Sequence, residues 1–261
     1  MSTTIPTFKC VLLDIEGTTT PISFVHERLF PYVTNNLENF LNENWNSPEL
    51  QQKVQLLREQ AIKDVNNNLP DAILIPESNE MDEIKHFIIQ NIKWQMEIDR
   101  KIGSLKSFQG FMWESGFELG ELKGEIFEDV LEAFKRWKGE FEIQIFIYSS
   151  GSINAQKLIF KNSDKGDLLG YIDGYFDTSI GSKLEKSSYI NIAKEIQIEP
   201  NEILFLSDNV KEIIAARSAG YQTAIIEREG NAPLSDDDRK NNIILSDFLQ
   251  IFSHASFQKS S

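Results

Sequence analysis

Among 261 residues there is one cysteine, and there are only three histidines, so the usual carriers of redox and transition-metal chemistry are nearly missing. With Cys10 alone no internal disulfide can form, and a reducing compartment is expected. Cys10 stands inside an apolar run and reads as a small buried hydrophobe. His26, His86 and His254 show no metal-ligand spacing. Cys-x-x-Cys, Gly-x-Gly-x-x-Gly and Gly-Lys-Ser/Thr patterns are absent. Long hydrophobic runs are missing too. Val11–Leu13 and Ile143–Tyr148 are the strongest, far below the roughly 20 residues that span a bilayer. Met1–Lys9 lacks the basic start and apolar stretch of a signal peptide, so a cytosolic protein without membrane attachment is expected. Positive charge is also scarce. Lysine and arginine total 26 against 40 acids, a net charge of −14 that opposes polyanions and argues against nucleic acid as a partner. A small phosphate is not excluded, because one lysine and a divalent cation reverse the sign inside a pocket.

What is present reads as an α/β chain. Phe8–Leu13 is a buried strand that stops at Asp14, Gly17 and three threonines. From Pro21 the apolar spacing turns helical, with Phe30, Val33, Leu37, Phe40 and Leu41 on one face. A second helical stretch follows Pro48, Asn66–Asn79 is turn-rich, and helical spacing returns from Ile84 and again from Leu105 to Leu122. No strand is expected between Pro21 and Leu122. Afterwards helix and strand alternate: helix Glu125–Trp137, strand Ile143–Tyr148, helix Asn154–Phe160 and a short strand Tyr175–Asp177. Helix Leu184–Ile196, strand Ile203–Leu206, helix Val210–Ala219 and strand Thr223–Ile226 follow, with Asp236–Asp238 as a solvated turn. Near-continuous apolar strands between helices predict a parallel, Rossmann-like sheet covered on both faces. The expected organisation is an α/β core over residues 1–20 and 123–254, an inserted all-helical cap over 21–122, and a frayed tail at 255–261.

Three strands deliver polar groups to one sheet edge. Asp14, Ser149 and Asp208 each follow an apolar strand, where open α/β sheets bind ligands. The Asp14-Ile15-Glu16-Gly17-Thr18 turn sets two carboxylates close together. One carboxylate can attack phosphorus, and the other can exchange the proton that the leaving oxygen and the attacking water require. Taken singly, each feature has a plainer reading. Acids open loops, Asp208 and the serines can cap helices, and one lysine is ordinarily a surface residue. Together, Asp14, Asp208 and a backbone carbonyl near Glu16 suit magnesium, which prefers oxygen ligands. Ser149, Ser150 and the backbone at Gly151 suit an anion at a helix start, and Lys183 supplies a point charge.

In this order, Asp14-Ile15-Glu16-Gly17-Thr18, Ser149-Ser150-Gly151, Lys183 and Ser207-Asp208 resemble the four motifs of the haloacid-dehalogenase-like superfamily. The longer run Leu13–Val25 looks like the first motif of its enolase-phosphatases, which carry Glu where most relatives have Asp at position 16. Trp94-Gln95-Met96, Asp99-Arg100-Lys101, Gln109-Gly110, Met112-Trp113, Tyr148–Ser152, Ala155–Leu158 and Phe176–Thr178 match as well. The resemblance implies a bifunctional enzyme of methionine salvage that enolises 2,3-diketo-5-methylthiopentyl 1-phosphate and then removes its phosphate to give acireductone. It implies one Mg2+ per subunit at Asp14, Glu16 and Asp208, a nucleophile at Asp14, and substrate contacts at Ser149, Ser150 and Lys183. It also implies a cap that shields the site, with polar groups near Asp99–Lys101 as candidates for enolisation. A monomer in the cytoplasm, and by family resemblance the nucleus, is expected. Asn209 departs from relatives with two adjacent acids, leaving open whether Glu212 supplies the missing carboxylate. The alternatives are a phosphatase for another small phosphomonoester or a phosphate-binding regulator without turnover.

Overall fold

The computed structural model describes residues 5–78 and 80–255. Six strands form one sheet: β1 Cys10–Leu13, β2 Gln144–Tyr148, β3 Gly174–Phe176, β4 Ile203–Ser207, β5 Gln222–Ile226 and β6 Ile244–Leu245. All pairings are parallel, in the order β3-β2-β1-β4-β5-β6. Strand order reverses at β1, which lies between β2 and β4. Leu13 is in register with both Ile147 and Leu206, so the residues leaving these three strands emerge side by side. All four residues of β1 are fully buried, as a central parallel strand requires.

The chain divides into two compact units, one Glu27–Leu122 and the other holding the sheet. Among its described residues the first unit has no strand. Its main helices are Phe30–Asn44, Pro48–Asn66, Met81–Glu97 and Gly103–Glu118. Val33, Leu37, Phe40 and Leu41 are buried on one face, as their spacing requires, while Phe30 is only half-buried. One polar tie crosses this interior. Arg100 donates both Nη1 and Nη2 to the Asp64 carboxylate, Nη2 at 2.9 Å, and Gln60 Nε2 adds a bond at 2.7 Å. The burial of Asp64 favours its neutral form, but these donors outweigh it and hold the carboxyl below its usual range. Arg100 is therefore committed to packing. Its neighbours Asp99 and Lys101 are well exposed.

In the sheet unit the expected elements are present with ends shifted by at most three residues. One reading needs correction, and one strand was not read. Asp236–Asp238 is the first turn of a helix, Asp236–Asn241, because Ser235 and Asp238 form a reciprocal capping box that satisfies two orphan N–H groups. Strand β6 is not evident in the sequence, since two residues carry no period. Of the tail expected to fray, Ala255 bridges Ile5, and residues 256–261 lie outside those described. No helix among the described residues is long and apolar enough to cross a membrane.

Candidate active site

The loop after β1 is wound tightly on itself. The Ile15 carbonyl accepts N–H bonds from Thr18, Thr19 and Thr20, and Gly17 N–H bonds the Thr20 carbonyl at 2.8 Å. Thr18, Thr19 and Thr20 are fully buried, so this acidic turn is built from the interior outward. Gly17 sits at φ +69°, and a β-carbon there would lie 2.7 Å from both Asp208 Oδ2 and Asn231 Oδ1. Backbone conformation and close approach therefore both require glycine. Gly17→Ala should lower stability by about 1–3 kcal/mol and displace Asp208. Urea unfolding checks this, and an unchanged midpoint contradicts it.

Asp14 is the hub. It is buried, with Oδ1 accepting from its neighbour Ile15 N–H at 2.7 Å and from Lys183 Nζ at 2.6 Å. Lys183 Nζ also pairs with Glu212 Oε2 at 2.7 Å. Ser207 Oγ lies 3.3 Å from Asp14 Oδ2 and 3.0 Å from Glu212 Oε2, so its single proton can serve either carboxylate. Lys183 is the one lysine buried among the described residues. Burial works against its charge, but Asp14 and Glu212 overcompensate and hold its proton more tightly than usual. The Tyr148 ring lies 5.7 Å from Nζ.

Asp208 stands in the same cluster without an ion pair among the described residues. Its backbone N–H is held by Thr18 Oγ1 at 3.1 Å. Burial, then repulsion from Asp14 and Glu212, pushes its carboxyl up to about 7, with partial relief from Lys183. Glu212 is raised by burial and by Asp14, again partly offset by Lys183. Three crowded carboxylates thus face one ammonium.

A cavity of about 190 Å³ opens here, lined by Asp14, Glu16, Ser150, Lys183, Asp208 and Glu212, together with Ile22, His26 and Asn209. Five of the six residues expected at the site therefore share one cavity. Ser149 does not line it. That side chain is buried and accepts the Gly151 N–H at 3.3 Å, which shapes the turn that presents Ser150. The plainer capping readings fall to neighbours. Ser152 caps the helix Ile153–Lys161, and Asn209 caps Val210–Ser218, leaving Ser150 and Asp208 outside those roles.

Sequence reasoning left Glu212 open, placed Ser207 in a motif without a role for its hydroxyl, and missed His26 and Asn231. Ile22 and His26 are four apart in the helical run that starts at the sheet edge after Pro21, a spacing that could have flagged His26. That run contains a π-helical turn, Val25–Leu29, a distortion frequent at functional sites. Asn231 donates Nδ2 to the Gly17 carbonyl at 2.9 Å, a contact 214 residues away that no local pattern announces.

Among the described residues no group of three or more His, Cys, Asp or Glu side chains is placed so as to hold a metal ion as it stands. The donor set nonetheless fits one hard divalent ion. It consists of carboxylate oxygens in excess of cationic partners, and one of them, Asp208, is raised in pKa by burial and by repulsion from Asp14 and Glu212.

This sheet order, with acids beyond β1 and β4 and a lysine from the loop after β3, defines the class matched by a family profile over residues 8–220, the haloacid dehalogenase-like hydrolases. Enolase-phosphatase E1 of Xenopus tropicalis is 47% identical over 94% of this chain and 95% of that one. Enolase-phosphatase E1 of Danio rerio is 44% identical over 93% and 94%. The solved UTR4 protein of Saccharomyces cerevisiae, 33% identical, superposes with a TM-score of 0.73 over 92% of this chain and 98% of that one. The chain belongs to the enolase-phosphatase E1 family of these hydrolases.

Proposed function

We propose that the chain enolises 2,3-diketo-5-methylthiopentyl 1-phosphate and then hydrolyses its phosphate ester to acireductone, as one step of methionine salvage. The observation that carries the hydrolytic half is the meeting of Asp14, Lys183 and Asp208 around one cavity. In the reaction, an Asp14 carboxylate oxygen attacks phosphorus, and the ester oxygen leaves with a proton from Glu16. Water then attacks the acyl phosphate and gives its proton to Glu16, which restores the free Asp14 carboxylate. Lys183 neutralises charge on the phosphoryl oxygens, and Ser150 donates a hydrogen bond to them. Asp14, Asp208 and Glu16 would hold magnesium, the last through its backbone carbonyl. Bound there, the ion would neutralise charge on the phosphoryl group. Glu212 acts here as a partner that fixes Lys183, holding Nζ at 2.7 Å. For enolisation, a proton must leave the carbon beside a carbonyl and another must reach the carbonyl oxygen, which demands a cationic surround for the growing charge.

Substrate choice is tested by following phosphate release and enol absorbance together on the diketo phosphate and on simple sugar phosphates. Expected is release from the diketo phosphate, preceded by an enol signal, and faster than from the sugar phosphates by at least about 100-fold. Equal rates on all esters, with no enol, favour a general phosphomonoesterase. No release from any ester favours a phosphate-binding regulator.

A cation site also predicts a stability change. The folded carboxyl of Asp208 is raised to about 7, so the folded chain keeps a proton that the unfolded chain loses near pH 4. The Asp208 contribution to the stability of the metal-free protein is therefore lost as pH rises from about 4 to 7, and a bound cation replaces that proton. Magnesium at about 100 times its Kd should add about 2.7 kcal/mol, or roughly 5–10 °C in Tm. The shift should be larger at pH 8 than at pH 6. No shift at either pH removes the metal assignment. We assign one ion per subunit, a monomer and a cytoplasmic setting as parts of the same reading, with no nucleic acid or membrane as partner.

A further inference from the structure

Lys183 lies in the irregular segment between β3 and the helix Lys186–Ile196, where backbone carbonyls have no ladder to join. Three consecutive carbonyls of that segment are each taken by a side-chain hydroxyl. Tyr148 Oη donates to the Gly181 carbonyl at 2.9 Å, Ser188 Oγ to the Ser182 carbonyl at 2.7 Å, and Tyr189 Oη to the Lys183 carbonyl at 2.7 Å. The donors come from rigid places. Tyr148 ends β2, and Ser188 and Tyr189 lie in the first turn and a half of the following helix; all three are essentially fully buried. The Tyr189 ring packs edge-on against Tyr148, Phe205 and Tyr221, and the Tyr189 carbonyl receives the Tyr221 hydroxyl at 2.8 Å. Glycine at 181 makes the middle bond feasible, because a β-carbon there would lie 2.2 Å from Ser188 Oγ.

We infer that Tyr148, Ser188 and Tyr189 are positioning residues that lock the Gly181–Lys183 backbone, so that the Lys183 ammonium is held ready for the phosphate. The inference rests on the assignment of Lys183 as the cation that meets phosphate, and it adds residues that touch neither substrate nor metal. A buried hydroxyl must find some acceptor, so one such bond would say little. Three in succession on the segment carrying Lys183 restrict it as separate bonds across the core would not. A long lysine side chain has many rotamers, and an anchored backbone reduces the ordering left to be done when phosphate binds. Lys183 Nζ is held at its far end by Asp14 and Glu212, so both ends of the side chain are fixed.

The test is a double-mutant cycle read on the affinity for inorganic phosphate, measured by calorimetry with magnesium present. Tyr189→Phe and Ser188→Ala each remove one hydroxyl and keep the rest of the side chain nearly intact. Each should weaken phosphate binding about tenfold when Lys183 is present and leave it unchanged, within twofold, in a Lys183→Met background. Ser188→Thr, which retains the hydroxyl, should recover most of the loss. An equal weakening in both backgrounds makes these residues merely structural and overturns the inference, as does no weakening in the Lys183 background. If Tyr189→Phe fails to fold, Ser188→Ala decides by the same criterion. The wild-type ester assay is run alongside. A protein that releases no phosphate contradicts the proposed function, while the phosphate-affinity cycle still judges the lock.

Discussion

Asp14→Asn is expected to cut phosphate release by about 10⁴-fold or more, because it removes the nucleophile while keeping shape and volume. The amide oxygen can still accept the Ile15 N–H and the Lys183 ammonium, so fold and phosphate affinity should be largely kept. Stopped assays for released phosphate, beside circular dichroism and phosphate calorimetry, separate lost chemistry from lost structure. Turnover within tenfold of wild type would sink the covalent mechanism. A protein that no longer binds phosphate would show that Asp14 serves mainly to hold the cluster together.

The second large effect concerns charge rather than nucleophilicity. Lys183→Met leaves Asp14 and Glu212 buried beside Asp208 with no ammonium among them. Removing one partner of a buried ion pair typically costs about 3–5 kcal/mol, because the other charge is left uncompensated. Glu212 and Asp208 already bind protons more tightly than ordinary carboxylates, and loss of Lys183 tightens both further. The metal-free variant should therefore be most destabilised near pH 8 and recover as pH falls towards 6, when these carboxyls take up protons. Urea midpoints at the two pH values check the sign. In catalysis the variant should lose about 10²–10³-fold in kcat/KM. A penalty of equal size at both pH values would mean that the carboxylates do not feel Lys183 as described.

The sheet was legible in the sequence because parallel strands buried on both faces must be apolar throughout. Val11–Leu13 and Ile203–Leu206 are short, unbroken and bounded by polar turns, and each is a central strand. The helical unit was legible by period, as with Val33, Leu37 and Leu41. Two-residue β6 and the capped turn at Ser235 were not, since one has no period and the other depends on reciprocal bonds between side chain and backbone. The site divides in the same way. Asp14, Glu16, Ser150 and Asp208 could be placed at one cavity because each follows the end of a strand, whereas Lys183 was singled out only by its place in the motif series. Ser149 leaves the same sheet edge, but its hydroxyl accepts the Gly151 N–H and the residue does not line the cavity. Glu212 needed coordinates, because a residue one helical turn after Asp208 points to the site only if Asn209, rather than Asp208, caps the helix. The hydroxyls of Tyr148, Ser188 and Tyr189 and the Asn231 amide are invisible in sequence. Their partners are carbonyl oxygens, and every residue has one.

A direct test of the phosphorylated aspartate is chemical trapping. Enzyme mixed with ester and quenched in acid during turnover, then reduced with borohydride, should carry homoserine in place of aspartate at position 14 in its peptide map. The conversion should require both ester and magnesium and should vanish in the Asp14→Asn variant. Rapid turnover with position 14 unmodified, or homoserine found at 208 instead, would contradict the account at its centre.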